Sequence, residues 1–267
     1  MIAEHLATWL SLLQIACEQA GTRHLHLIID QAGSEAPLLP SVLSVEPPLA
    51  WYSLFTGLPE EGAADLAPLL VRVDLAQPLQ RQWLLGLMHA TDGHSQLLVL
   101  ASAWPFAVLA EHLSRCLEAR NGGVLGLLRY YDPRLFPLLF SHVLQPAQQQ
   151  PLLRPALFWS WLDRDGSPRY LLGAADLPAG PDTHRTIELS DSQIDTLGCA
   201  SDATTAMARL STAFSREWGM EQRFRACYRA MLEASKAGVL LADQREAYAL
   251  DQLRQAGMAH PASTGRQ

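Results

Sequence analysis

Val124-Leu125-Gly126-Leu127-Leu128-Arg129-Tyr130-Tyr131-Asp132-Pro133-Arg134-Leu135-Phe136 passes from an apolar run to a charged turn within one short stretch. The apolar run predicts a strand over Val124–Tyr130. Asp132 is a residue type that accepts hydrogen bonds from the unpaired amides of a helix start, and proline suits the first helical position. The stretch therefore predicts a strand feeding directly into a capped helix, the repeating joint of an α/β fold.

Working back toward the N-terminus, the same alternation recurs. Ile2, Leu6, Trp9, Leu10, Leu13 and Ala20 fall at helical spacing, and Gly21 stands where a C-terminal cap belongs. His24–Asp30 holds the run Leu27-Ile28-Ile29, too short for a helix and bounded by Asp30 and Gly33, which predicts a buried strand. A shorter helical piece is expected near Leu49–Phe55, a strand at Leu69–Val73, a helix over Leu79–Ala90, a strand at Leu97–Ala101 and a helix over Phe106–Ala119. Strands in the middle with helices on the faces make an N-terminal α/β sandwich lobe with a central sheet.

Toward the C-terminus, Leu157–Trp161 and Arg169–Leu172 predict a strand pair across the polar turn Asp163–Pro168. Gln145–Pro155 is rich in Gln and Pro and is expected to be a connector. After Pro178-Ala179-Gly180-Pro181 the strand signals fade. Met220–Lys236 keeps Met220, Phe224, Cys227, Tyr228 and Met231 on one face, with Glu221 and Arg225 paired at i,i+4 on another and Gly238 beyond its end. A last helix starts near Asp243 and turns Tyr248, Leu250 and Leu253 toward a core. The expected division is an α/β lobe over 1–189, a smaller all-helical lobe over 190–259 and a disordered tail over 260–267. Charge divides in the same region: residues 1–202 carry eleven basic and twenty-one acidic side chains, residues 203–267 nine basic and six acidic.

Composition excludes several classes. At 267 residues, 49% apolar and 18% charged, the chain can bury roughly three quarters of its unfolded surface. Its net charge of -7 has the wrong sign for holding a phosphate backbone, so nucleic acid is not expected as a partner. Lys236 is the single lysine and lies in no Gly-rich loop, which argues against a phosphate loop or a Schiff base. Cys17, Cys116, Cys199 and Cys227 form no C-x-x-C pair, as buried thiols in a reducing compartment would not. The start of the chain has no basic and apolar signal pattern, and the apolar stretch Gln96–Ala110 is cut by Ser102 and Pro105. The expectation is a cytoplasmic, soluble protein with no membrane partner.

Chemical motifs are sparse. Neither a G-x-S-x-G elbow nor a G-x-G-x-x-G turn is written in the chain, and Asn121-Gly122-Gly123 precedes a strand, which suits a turn. His24 and His26 share one face of a strand but have no accompanying H-x-x-x-H or carboxylate cluster, and the carboxylates Glu60-Glu61 and Asp163/Asp165 fall in loops. No catalytic residue, cofactor or metal is expected. Arg129 and Arg134 flank Asp132; either can fork onto it and rigidify the turn, or offer a planar pair of donors to a partner's carboxylate or carbonyl.

Leu127-Leu128-Arg129-Tyr130-Tyr131-Asp132-Pro133-Arg134 resembles the arginine-aromatic-aromatic-aspartate-proline-arginine signature of the adaptor proteins, also called effector chaperones, of bacterial type VI secretion. The strand Leu27–Asp30, Ser53-Leu54-Phe55-Thr56-Gly57, Ala67-Pro68-Leu69-Leu70-Val71, the helix around Ala110–Arg115 and Trp159 or Trp161 agree with it. The resemblance covers residues 24–172 and extends loosely to Ala234–Gly238; the Gln145–Pro155 connector and the Ala- and Leu-rich first helix depart from it. It implies a non-catalytic cytoplasmic protein that binds a secreted effector, a toxin, and helps load it onto the type VI spike protein. Arg129, Tyr131, Asp132, Arg134 and Trp104 are the expected partner-binding residues. Trp51, Tyr52, Trp104, Tyr130, Tyr131, Trp159 and Trp161 form the pool of aromatic anchors, of which two in three are expected in the core. Two readings of another class stay open: a hydrolase or transferase on a doubly wound sheet, marked by a deep polar pocket, and a small-ligand sensor, marked by a closed apolar cavity.

Overall fold

A computed structural model describes residues 4–34, 37–178 and 186–258. The chain divides into two compact units, Met1–Leu189 and Ser190–Gln267. The expected tail over 260–267, and most of the Pro178–Pro181 segment, lie outside the described residues.

The first unit is built on a six-stranded sheet. Its strands are β1 (His24–Ile29), β2 (Ala50–Ser53), β3 (Leu69–Asp74), β4 (Leu97–Ala101), β7 (Phe158–Leu162) and β8 (Pro168–Leu172), in the order β2-β3-β1-β4-β7-β8. Every neighbouring pair in it is antiparallel. Among the described residues there is therefore no doubly wound parallel sheet with a crevice at the strand ends. A second, three-stranded sheet joins β5 (Glu118–Asn121), β6 (Val124–Leu127) and β9 (Ile187–Glu188) in the order β6-β5-β9.

Strand periodicity assigns the two faces. The odd positions Leu25, Leu27, Ile29, Leu69, Val71, Val73, Leu97 and Val99 pack with α1 (Glu4–Gln19) and α3 (Pro78–Ala90), through Leu6, Trp9, Leu10, Leu13, Leu84 and Met88, and Val42 of the short α2 (Leu39–Leu43) joins the same core. In β1, β3 and β4 the even positions turn to the other side, where His26 stacks on Phe106 of α4 (Phe106–Arg115), with ring centroids 6.1 Å apart. The α/β sandwich with a central sheet is thus the observed architecture. Trp9 ties helix to sheet by donating its indole N–H to the Ser160 hydroxyl at 2.9 Å, deep in the core.

Several local expectations change. Leu49–Phe55 holds a strand, β2, because Trp51 and Tyr52 favour a pleated edge and pair with Val71 and Leu70. The helix starting at Phe106 stops at Arg115, since Glu118–Asn121 is taken up by a hairpin with Val124–Leu127. Gly122 (φ +55°) and Gly123 (φ +85°) form its two-residue turn, which needs positive φ at both positions. The Gln145–Pro155 connector contains a helix, α6 (Pro146–Leu153), where Gln148 reaches back to the Gln145 amide at 2.8 Å. Between β6 and α6 the chain forms the short α5 (Phe136–Leu138), which runs on into a π-helical turn over Leu139–Val143.

The second unit is helical: α7 (Asp191–Arg209), α8 (Met220–Lys236) and α9 (Ala242–Met258). Ser190 and Gln193 form a capping box at the start of α7. Cys199, Ala200, Ala203 and Ala206 give α7 a face of small residues, matched by Phe224, Cys227, Tyr228 and Met231 of α8. The buried face of α9 is Arg245, Ala249 and Leu253; Tyr248 and Leu250 are half-buried rather than central. Arg245 is accommodated there because Asp202 (2.9 Å), the Met231 carbonyl (3.1 Å) and the Cys199 sulfur (3.0 Å) take its terminal Nη donors, while its buried Nε has no partner among the described residues.

Candidate functional site

The expected strand over Val124–Tyr130 ends at Leu127: the Leu128 amide makes one more bond in the hairpin register, to the Leu117 carbonyl at 2.6 Å, and the Tyr130 amide then turns back onto the Leu128 carbonyl at 2.8 Å. The chain then turns, with the Asp132 amide on the Arg129 carbonyl at 3.2 Å. Asp132 caps this turn rather than a long helix. Its carboxylate accepts the Arg134 amide (2.9 Å), and its carbonyl accepts those of Leu135 (2.9 Å) and Phe136 (2.8 Å). Pro133 sits within the turn, ahead of the first helical residue.

The turn separates the signature into an inner and an outer set. Tyr130 is fully buried, donates its hydroxyl to the Leu113 carbonyl (2.9 Å) and meets Trp159 edge-on. Phe136 packs between Trp159 (5.0 Å) and Trp161 (5.3 Å). Tyr131 and Asp132 are buried as well, 2% and 3% exposed. The two arginines point outward, with 43% of the Arg129 side chain and 49% of the Arg134 side chain exposed.

Each arginine is held by a buried carboxylate. Arg134 forks onto Asp132, Nε to Oδ1 at 2.9 Å and Nη2 to Oδ2 at 2.7 Å. Arg129 does not use Asp132; its Nη2 donates to Oδ2 of Asp30 at 3.0 Å, and its guanidinium lies over the Tyr131 ring at 5.5 Å. Asp30 stands just past β1, where its other carboxylate oxygen accepts the Ala32 amide at 3.0 Å. Burial lowers the Arg129 pKa, but Tyr131, Asp30 and Asp132 outweigh it and raise the net value. The hydrogen bond to Asp132 raises the Arg134 pKa against the opposing effect of burial. Burial raises the Tyr131 phenol, so the stacked ring stays neutral. The result is two fixed cations about half open to solvent. Among the described residues Nη1 of Arg134 has no hydrogen-bond acceptor, which leaves a donor for a carboxylate or carbonyl from outside, and Arg129 exposes its guanidinium beside the Tyr131 hydroxyl.

Buried amides hold the surrounding loops. Gln31 donates to the Ala67 carbonyl (2.8 Å) and accepts the Leu38 amide (3.1 Å). Gln96 donates to the Asp30 carbonyl (3.1 Å) and the Ser34 hydroxyl (2.9 Å). An open cleft of about 260 Å³ adjoins the turn, with Pro133, Gln96, Asp92, His5, Arg164 and Gly166 on its wall. Arg164, in the β7–β8 turn, donates to the Arg134 carbonyl at 3.3 Å.

Of the five expected partner-binding residues, the structure brings Arg129, Tyr131, Asp132 and Arg134 together and places Trp104 elsewhere. Trp104 is 7% exposed, with its indole N–H on the Asp176 carbonyl (2.6 Å) and its ring edge against His112. Of the aromatic pool, Trp104, Tyr130, Tyr131, Trp159 and Trp161 are buried, while Trp51 is 36% exposed and Tyr52 half-buried. Asp30 was not among the expected site residues. Only its place at a strand end marked it, because its partner lies 99 positions away. His26 is buried against Phe106 while His24 is half-buried, and among the described residues no group of three or more His, Cys, Asp or Glu could hold a metal ion.

Neither the curated proteins nor the solved structures compared with this chain include a match. Residues 25–150, from the second residue of β1 into α6 and including the whole signature turn, match the family model described as Domain of unknown function (DUF4123).

Proposed function

We propose that the protein is a non-catalytic adaptor that holds an effector of the type VI secretion system and assists its loading onto the spike protein. The observation that carries this reading is the family match over residues 25–150, because that family is associated with type VI effector adaptors. The turn inside the matched region supports it. Half-exposed arginines, held rigidly by buried carboxylates and an aromatic ring, lose little freedom when a partner's carboxylate or carbonyl docks on them. Adaptor work of this kind takes place in the cytoplasm of the producing cell, and no helix among the described residues is long and apolar enough to cross a membrane.

Co-expression tests the reading. The full chain, tagged and expressed with the toxin encoded beside its gene and with the adjacent spike protein, is expected to retain the toxin through size-exclusion chromatography. Retention of neither protein, or steady turnover of a metabolite by the purified chain alone, contradicts it. A spike gene upstream and a toxin–immunity pair downstream are the expected gene neighbours.

A further inference from the structure

β8 leaves one edge of the six-stranded sheet open. The bonds that flank the β7–β8 ladder, Asp163 N to Ser167 O (3.0 Å) and Gly173 N to Leu157 O (3.1 Å), join odd-numbered residues. In the same register Trp161 faces Arg169 and Trp159 faces Leu171, so these are the hydrogen-bonded pairs. The N–H and C=O groups of Tyr170 and Leu172 therefore point away from β7, and among the described residues they have no main-chain partner. Their side chains share the α1 face of the sheet and are 74% and 68% exposed.

The opposite edge differs. In β2 the outward residues are Trp51 and Ser53; the Ser53 carbonyl already accepts the Thr56 amide (3.1 Å), and the strand is entered through Pro47-Pro48. Edges are usually blunted by charge, proline or a bulge at the outward positions. β8 has Pro168 only at its first residue, and Arg169, its one charged side chain, turns back to Asp163 at 2.7 Å.

We propose that the β8 edge takes up an extended segment of the effector by strand addition, with apolar side chains at alternate positions set beside Tyr170 and Leu172. The identity of the donor rests on the adaptor reading above. The kind of donor follows from the edge: two N–H and two C=O groups repeat at the roughly 6.8 Å spacing of alternate strand residues, and an extended main chain presents the complementary set at that spacing. A helix spends its own main-chain groups internally and has none to offer.

The test is hydrogen exchange on the full chain, alone and bound to the neighbouring toxin, together with two variants. The Tyr170 and Leu172 amides are expected to exchange at unprotected rates in the free protein and at least 100-fold more slowly in the complex. Leu172→Pro removes an outward N–H without touching the β7 ladder and is expected to weaken capture at least tenfold. Leu172→Thr keeps that N–H and is expected to stay within threefold of the parent. A complex in which both amides remain unprotected overturns the proposal, and so does parental affinity in a folded Leu172→Pro. If that variant does not fold, exchange on the parent protein decides alone. Protection of both amides in a concentration-dependent dimer of the free chain assigns the edge to a second copy and overturns it too. If no toxin is captured the adaptor reading fails; the edge is then tested with an eight-residue peptide of alternating threonine and valine, whose addition either protects the two amides or overturns strand addition.

Discussion

Arg129 reaches across 99 positions of sequence to hydrogen-bond Asp30, Nη2 to Oδ2 at 3.0 Å, and so fastens the signature turn to the end of the central strand. The Asp30 side chain is only 7% exposed. Removing its cation leaves a buried carboxylate whose remaining hydrogen-bond donor among the described residues is the Ala32 amide. A double-mutant cycle on Asp30→Asn and Arg129→Ala is expected to give a coupling of about 1–2 kcal/mol in denaturant unfolding. A coupling of zero would show that the contact holds nothing.

Gly173 and Gly198 are expected to respond oppositely to alanine. A Cβ on Gly173 would lie 1.9 Å from the Ala156 carbonyl oxygen, where the chain after β8 runs against residues 153–157, so Gly173→Ala has to displace backbone and should cost more than about 2 kcal/mol. Gly198 lies inside α7 with nothing within 4 Å of its added Cβ, so Gly198→Ala should stabilise the helical unit by about 0.5–1 kcal/mol. Urea unfolding of both variants checks the pair. Equal effects would contradict the packing described.

His26 is expected to make the protein acid-sensitive. Burial first, then the charges of Arg72 and His24, lower its pKa from 6.5 to about 3. A folded-state pKa below the unfolded one means that its contribution is complete above about pH 6.5 and is lost as the pH falls toward about 3, at up to about 1.4 kcal/mol per pH unit. His26→Leu keeps the apolar contact with Phe106 and is expected to flatten that part of the stability profile. An unchanged slope would assign the acid sensitivity to other groups.

The four cysteines should be silent in the native state. Burial pushes the Cys17 thiol up to about 12 and Cys227 up to about 11, and raises Cys116 and Cys199 as well. Only thiolate reacts. A colorimetric disulfide reagent at pH 8 is expected to label no thiol in the folded chain and all four in denaturant. Fast labelling of any one in the native protein would contradict its burial.

The layered fold was legible wherever hydrophobic period and length agreed. α1, β1, β3, α3, β4 and β7 all lie within a few residues of their expected bounds because each buries a face of itself, whereas β8, with no buried residue, was marked by the polar turn that returns it to β7. The reading failed where a local signal competed with pairing. Trp51-Tyr52 is ambiguous between a short helix and a strand until β3 offers a partner, and Glu118–Asn121 continues a helical pattern until the Gly122-Gly123 turn folds it back. Gln145–Pro155 is polar enough to pass for a linker, yet Gln148 closes a helix start there. Strand direction was legible only for β7 and β8, whose short polar turn requires an antiparallel return; elsewhere alternating helices and strands suit a parallel sheet equally well, yet β1 pairs antiparallel with both β3 and β4.

At the site, the Asp132–Arg134 fork was legible as one of two options, because a two-residue spacing across proline permits it. That Arg129 goes instead to Asp30 was not, since spacing carries no information over such a distance. Nor does residue type reveal that Tyr131 and Trp104 face inward, aromatics being equally good as core and as anchors.

The most direct test of the central claim is the affinity of the purified toxin for the parent chain and for Arg129→Ala and Arg134→Ala, read by calorimetry beside each variant's melting temperature. The account predicts at least a tenfold loss of affinity for Arg134→Ala with a melting temperature within a few degrees of the parent, and a comparable loss for Arg129→Ala beyond its destabilisation. Parental affinity in both folded variants would contradict it.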